Sequence, residues 1–262
     1  MVIKKLTIIK GIIQDKFIDG IPIKVQIVQP KGKKNVRTLI KMKECIGITN
    51  HNTGNTTPTA GDEMHAKWMQ NVENADIQYV SVPLYVDHDS ITQVVPLDEV
   101  CYHAGDGKGD GNYKTIGIEI CENANVLKAE ENSKKLNAAL LLTYPKWKVF
   151  KHQDWSGKFC PRVILARNGW HQFVEDINSY VKGANATEKK QEQKLTIILK
   201  HGMNNQYVKT LQEQLNKFGY KLKVDGDFGK ITEKAVIDFQ RTKGLICDGI
   251  AGPKTWNKLY ER

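Results

Sequence analysis

The sequence predicts an α/β domain over residues 1–182, a mixed central sheet flanked by helices, joined by a linker at 183–193 to a small all-α domain at 194–262. Three observations carry this. Short apolar or alternating runs are interleaved with helix-forming stretches up to about residue 182. GANATEKKQEQ at 183–193 has almost no large apolar side chain to bury. Beyond it the apolar residues recur at helical spacing.

Ile21 to Val28 alternates apolar and polar side chains, and Gln29 to Lys34 is a Pro/Gly/Lys turn. Cys45 to Thr49 is a short apolar strand running straight into Asn50-His51-Asn52-Thr53-Gly54-Asn55. A histidine at the exit of a buried strand is held rigidly yet reachable, a good position for a ligand. Ala60 to Val72 contains a helix with Met64, Trp68 and Met69 on one side, read as core packing. Gln78 to Tyr85 and Ile91 to Val95 form two strands joined through the hairpin signal Asp87-His88-Asp89-Ser90. Tyr102 to Tyr113 is a Gly-rich loop, Thr115 to Cys121 a strong strand, and Lys128 to Leu142 a helix by length and Ala/Leu/Lys/Glu content. A closing helix runs from about Val163 to Val181.

The C-terminal part contains an internal repeat. Asp225-Gly226-Asp227-Phe228-Gly229 followed by Thr232 recurs as Asp248-Gly249-Ile250-Ala251-Gly252 followed by Thr255. The glycines suit turns with positive φ, and each threonine is placed to cap the helix that follows. Val208, Leu211, Leu215 and Phe218 form one helical stripe, and Ala235, Val236 and Phe239 another.

A formal net charge of +10 implies attraction to polyanions: nucleic acid, anionic lipid or anionic wall polymers. The chain has no RNA-recognition signature, zinc-finger array or heptad-bearing basic region, which argues against nucleic acid as a partner. No apolar run approaches the ~18 residues of a membrane span, so no membrane anchor is expected. The five cysteines are scattered, several inside apolar runs, and read as reduced buried thiols rather than a disulfide framework. Lys10 and Gly11 interrupt the first apolar run and no small-residue cleavage site follows, so synthesis in the cytoplasm without a signal peptide is expected.

KHQDWSGKFCP at 151–161 is the most telling stretch. Asp154, Ser156 and Gly157 are turn formers that bring the ends together. An imidazole, His152, and a thiol, Cys160, then stand close, with Lys158 beside them, as half of a zinc site. One His and one Cys do not close a tetrahedral shell, which leaves a third ligand and a catalytic carboxylate to be supplied elsewhere.

Together, NHNTGN at 50–55, TIGIEIC at 115–121 and KHQDWSGKFCP resemble the zinc N-acetylmuramoyl-L-alanine amidases of the type-2 amidase family, over about residues 40–182. These are related to the peptidoglycan-recognition proteins and common among phage endolysins. Through VDGDFGKITEKAVIDFQ and DGIAGPKTW, the C-terminal module resembles the peptidoglycan-binding-1 domain, over about residues 200–260.

The resemblance implies that His51, His152 and Cys160 bind zinc. Two imidazoles and a thiolate leave a fourth position for water, the composition of a catalytic site. Glu119 matches the family's catalytic carboxylate, with Glu122 the weaker alternative. It lies in an apolar strand, where a charge is costly unless it has a partner or a task. Lys158 stabilises the oxyanion, His103 faces the substrate, and Trp155 either lines the cleft or packs under the loop. The implied reaction is hydrolysis of the amide between N-acetylmuramic acid and L-alanine in peptidoglycan. The resemblance further implies action at the bacterial cell wall, after holin-mediated release, with anionic wall polymers as expected further partners. Pro83, Leu84 and Tyr102 depart from the family pattern, at positions where relatives carry a histidine, an aromatic and a tryptophan. Two rival readings keep the scaffold: a non-catalytic recognition protein, and a zinc hydrolase cutting a stem-peptide bond.

Overall fold

A computed structural model describes residues 3–75 and 80–260, the side chains of 188–196 excepted. The chain divides into two compact units, Met1–Ala184 and Asn185–Arg262.

The first unit opens with a small hairpin of β1 (Ile8–Ile9) and β2 (Ile12–Ile13). Its main sheet comprises β3 (Phe17–Ile18), β4 (Ile21–Val25), β5 (Gly47–Asn52), β6 (Leu84–Val86), β7 (Ile91–Gln93), β8 (Thr115–Ile120) and β9 (Lys148–Lys151). The strands lie in the order β3-β4-β7-β6-β8-β5-β9. The pairs β3/β4 and β6/β7 are antiparallel, and the remaining neighbours are parallel. The expected Gln78–Tyr85 strand begins at Leu84 instead, and Gln78 and Tyr79 lie outside the described residues.

Helices cover both faces of the sheet. On one side Ile48, Ile116, Ile118 and Ile120 pack with Leu136 and Leu140 of α3 (Val126–Thr143). On the other, Tyr85 and Cys121 pack with Met69 and Val72 of α1 (Asp62–Asn74). Because successive side chains in a strand point to opposite faces, sending Ile116, Ile118 and Ile120 to α3 turns Gly117 and Glu119 toward α1. The short helix α2 (Asp110–Lys114) leads directly into β8.

The 151–161 stretch folds back as expected. It contains α4 (Gln153–Ser156), ends it on Gly157 in the left-handed conformation, and closes with Gln153 N–H donating to the Cys160 carbonyl at 3.1 Å. The expected single helix from Val163 to Val181 is instead two, α5 (Arg162–Ala166) and α6 (Trp170–Thr196). They break at Asn168-Gly169, where Asn168 has φ 57°. The helix α6 then runs through 183–193, the stretch read from composition as a linker. Ala, Glu, Lys and Gln are strong helix formers; lacking large apolar residues, the segment lacks a core but not helicity.

The second unit is helical. Val208, Leu211 and Leu215 of α7 (Gln206–Lys217), Phe239 of α8 (Lys230–Thr242) and Trp256 of α9 (Pro253–Tyr260) share one core. The repeat is joined by two matching hydrogen-bond cages. Gln212 Nε2 donates to Asp225 Oδ1, the Asp227 carbonyl and Thr232 Oγ1, while its Oε1 accepts from Gly226 N–H. Gln240 makes the same four bonds to Asp248, the Ile250 carbonyl, Thr255 and Gly249. Thr232 and Thr255 therefore cap no helix: they are buried, and their hydroxyls bond the loop carbonyls of Asp227 and Ile250.

Candidate active site

The site lies on the α1-facing side of the sheet, at the carboxyl ends of its parallel strands. Parallel register sets His51 of β5 beside Glu119 of β8, and Tyr85 of β6 beside Glu119 on its other flank. The strand β5 continues through Asn52, so His51 sits inside it rather than at its exit. His152 follows β9 directly, and the folded-back loop returns Cys160 to the same point.

His51, His152 and Cys160 are all buried, and one ligand atom from each lies within 4.8 Å of the others. His51 Nδ1 stands 2.9 Å from His152 Nδ1 and 3.9 Å from Cys160 Sγ. Burial drives both imidazoles below their ordinary pKa, helped at His51 by His103, His152 and Lys158 and at His152 by Lys158. They are therefore neutral, with lone pairs to offer. Burial pushes the Cys160 thiol up to about 11, and a bound cation would reverse that by favouring thiolate. Two imidazole nitrogens and a sulfur converging on one point fit zinc.

Glu119 Oε2 is buried with no hydrogen-bond partner. Burial raises the carboxyl to about 8, opposed by Lys158 and reinforced by Glu122. Glu122 itself is committed elsewhere: it pairs with Arg162 and accepts from Gly54 N–H at 2.8 Å. That leaves Glu119 as the carboxylate facing the ligand set.

His103, expected to face the substrate, has a second set of neighbours. It borders the cleft, but its ring is bonded behind His51, with His51 Nε2 and His103 Nδ1 3.0 Å apart. His103 Nε2 meets the Thr115 carbonyl at 3.3 Å. A carbonyl only accepts, so Nε2 carries the proton. Burial lowers His103 to about 4, which leaves Nδ1 a bare acceptor. His51 must then donate from Nε2, and its Nδ1 lone pair is turned to Cys160 and His152. Room for this ring comes from Gly117, where a Cβ would meet Val82 Cγ2 at 2.6 Å and His103 Cγ at 3.0 Å. The backbone on either side is held by Asn112 Oδ1, which accepts from His103 and Ala104 N–H.

Trp155 is a support for the loop rather than a wall of the cleft. Its indole N–H donates to Thr49 Oγ1 at 2.9 Å, and its ring packs 4.8 Å from that of Phe150. The cleft, about 710 Å³, is bordered by the ligand set, Glu119 and exposed Lys158, and on its far side by Met64, His65 and Trp68 of α1. Met64 and Trp68 are thus not core. They stand one helical turn apart on the cleft face, whereas Met69, about 100° further round, is the fully buried one. His65, which the sequence did not single out, joins them through its i, i+3 relation to Trp68.

This arrangement agrees with what the chain resembles. The N-acetylmuramoyl-L-alanine amidase family model matches residues 42–163, and the peptidoglycan binding domain model matches 204–259. The N-acetylmuramoyl-L-alanine amidase CwlH of Bacillus subtilis (strain 168) is 38% identical over 217 residues, 76% of this chain and 83% of that protein. XlyA of the same organism is 40% identical over 134 residues, 50% of this chain and 43% of that one. Among solved structures, the catalytic domain of XlyA superposes with TM-score 0.54 at 36% identity, covering 60% of this chain and 99% of that one. PlyL gives 0.53 at 30% identity, with 60% and 97% covered. With its ligand set, its sheet and its relatives in accord, this chain belongs to the N-acetylmuramoyl-L-alanine amidase family.

Proposed function

We propose that the chain hydrolyses the amide joining the N-acetylmuramic acid lactyl group to L-alanine in peptidoglycan, with zinc held by His51, His152 and Cys160. The observation that carries this is the convergence of those three donors with the unpartnered Glu119 carboxyl in one cleft. Zinc in that set supplies Lewis acidity toward the scissile carbonyl. Glu119, with a pKa brought near neutrality, takes a proton from the attacking water and returns it to the departing amine. Lys158 brings its ammonium to the mouth of the cleft, where it stabilises negative charge developing on the carbonyl oxygen. His103 holds His51 in the tautomer that presents Nδ1.

Residues 1–182 act as the catalytic unit, 183–193 as the connection and 194–262 as the wall anchor, working at the bacterial cell wall. Basic residues outnumber acidic ones in the anchor, which favours walls rich in anionic polymers. Tethering raises the local concentration of the catalytic unit there. Deleting 183–262 weakens binding to intact walls more than it slows hydrolysis of a small muropeptide.

The deciding experiment digests purified walls and identifies the new ends. Free L-alanine amines without new reducing sugars are expected; new reducing ends, or amines from other stem residues, overturn the reading. In the same assay Glu119→Ala loses turnover and keeps zinc, whereas Cys160→Ser loses both.

A further inference from the structure

The wall of the cleft across from the ligand set contains one polar atom that nothing in the fold uses. His65 is 8% exposed, borders the cleft, and its Nε2 has no hydrogen-bond partner. Its ring lies flat on Tyr85, with centroids 4.9 Å apart and planes 3° apart, which fixes the plane of the imidazole. The Ala60 carbonyl lies near the ring and favours a proton on the side that faces it. Burial lowers the pKa of His65. A neutral ring that keeps its proton on the Ala60 side presents Nε2 as an acceptor. Leaving such an acceptor buried and unpaired is unfavourable, and a ligand that brings a donor relieves it.

The register gives the distance to the chemistry. Tyr85, Glu119 and His51 stand on three adjacent strands, so Tyr85 is two strand spacings, roughly 10 Å, from His51. A group reaching His65 thus belongs to the substrate but not to the scissile bond. Next to His65 on α1, Met64 and the 43% exposed Trp68 offer an apolar surface beside the acceptor. An aromatic face with a neighbouring acceptor suits a ligand that presents a carbon face and an N–H together.

We infer that His65, clamped by Tyr85 and flanked by Trp68, is a specificity-determining residue of the cleft, whose Nε2 accepts a hydrogen bond from a substrate amide N–H remote from the cleaved bond. Both an acetamido sugar and the distal stem peptide carry such a group. The inference rests on the amidase reading above, but it is tested separately by binding.

The test measures the affinity of the zinc-loaded Glu119→Gln enzyme, full chain, for two soluble ligands by calorimetry. One is a single muramoyl sugar bearing a full stem peptide; the other is a disaccharide bearing L-alanine alone. Adding His65→Phe keeps the stacked ring and removes the acceptor; about three- to tenfold weaker binding is expected for the ligand that carries the recognised N–H. Loss confined to the first ligand assigns the stem peptide, and loss on both assigns the acetamido group. His65→Gln, which keeps an acceptor, recovers part of the loss, and in the active enzyme His65→Phe raises KM while leaving kcat and zinc content unchanged. Unchanged affinity for both ligands in a folded, zinc-loaded His65→Phe protein overturns the inference. So does a His65→Gln variant no better than His65→Phe. A failure of wall digestion to release L-alanine amines would instead strike the amidase reading and leave the binding result standing.

Discussion

Replacing His103 with alanine tests whether the cleft's third histidine serves the metal or the substrate. In the intact chain His103 Nδ1 accepts from His51 Nε2 at 3.0 Å, and its own Nε2–H is spent on the Thr115 carbonyl. His51 is 1% exposed, and without His103 its Nε2–H loses its acceptor in the protein. The ring then gains by rotating or exchanging tautomer, and either change moves the Nδ1 lone pair away from Cys160 and His152. Losing an outer partner of a ligating imidazole typically weakens metal affinity 10- to 100-fold, or about 1.4–2.7 kcal/mol. The loop backbone survives, because Asn112 holds it through the main-chain N–H groups of His103 and Ala104. Competition with a chromophoric chelator reads the zinc affinity directly, without recourse to activity. His103→Asn, whose carbonyl oxygen sits near the position of Nδ1, should recover most of the loss. An alanine variant with wild-type zinc affinity and a raised KM would refute the positioning role and return His103 to the substrate.

Three further outcomes follow from the packing. Glu73 is fully buried; burial raises its pKa, but N–H groups of Val36, Arg37, Lys31 and Lys34 outweigh this and hold it below 4.5. A depressed carboxyl stabilises the fold above its unfolded pKa and loses that contribution as pH falls through the folded value. Denaturation of Glu73→Gln against the parent should therefore show a gap of about 1–3 kcal/mol at neutral pH that closes in acid. In the second unit, Gln212→Ala should speed hydrogen exchange at the Gly226 amide and Gln240→Ala at Gly249, each locally, because the cages are separate. Trp155→Phe should lower the unfolding midpoint through loss of the bond to Thr49, about 1 kcal/mol, with KM unchanged.

The approach of His152 to Cys160 was legible because they flank turn formers that leave the chain little choice but to double back, whereas His51 as their companion came from the family resemblance. The α/β class was legible for a similar reason, since the alternation in Thr115–Cys121 admits one period only. What escaped were choices between two surfaces that look alike in one dimension. Met64 and Trp68 are apolar at helical spacing, and apolarity does not say whether a stripe meets a core or the wall of a cleft. The residues at 183–193 read as a linker by their lack of large apolar side chains, a criterion that is silent on whether the connection is helical. The threonines of the repeat suggested caps because the partners that claim them, Gln212 and Gln240, lie on the preceding helices. His103 was expected toward the substrate; its bond to His51, which spans 52 positions of sequence, was not legible.

The bare face of β8 at Gly117 has a consequence for how this enzyme can be altered. A methyl group there would collide with Val82 and with the ring of His103, yet residue 117 borders neither the ligand set nor the cleft. It behaves as a set-screw: adding bulk at 117 drives His103 outward and detunes His51 from behind. A screen that looked only at cleft-lining positions would pass over it, yet Gly117→Ala should weaken metal retention by displacing Val82 and His103, both of which border the cleft.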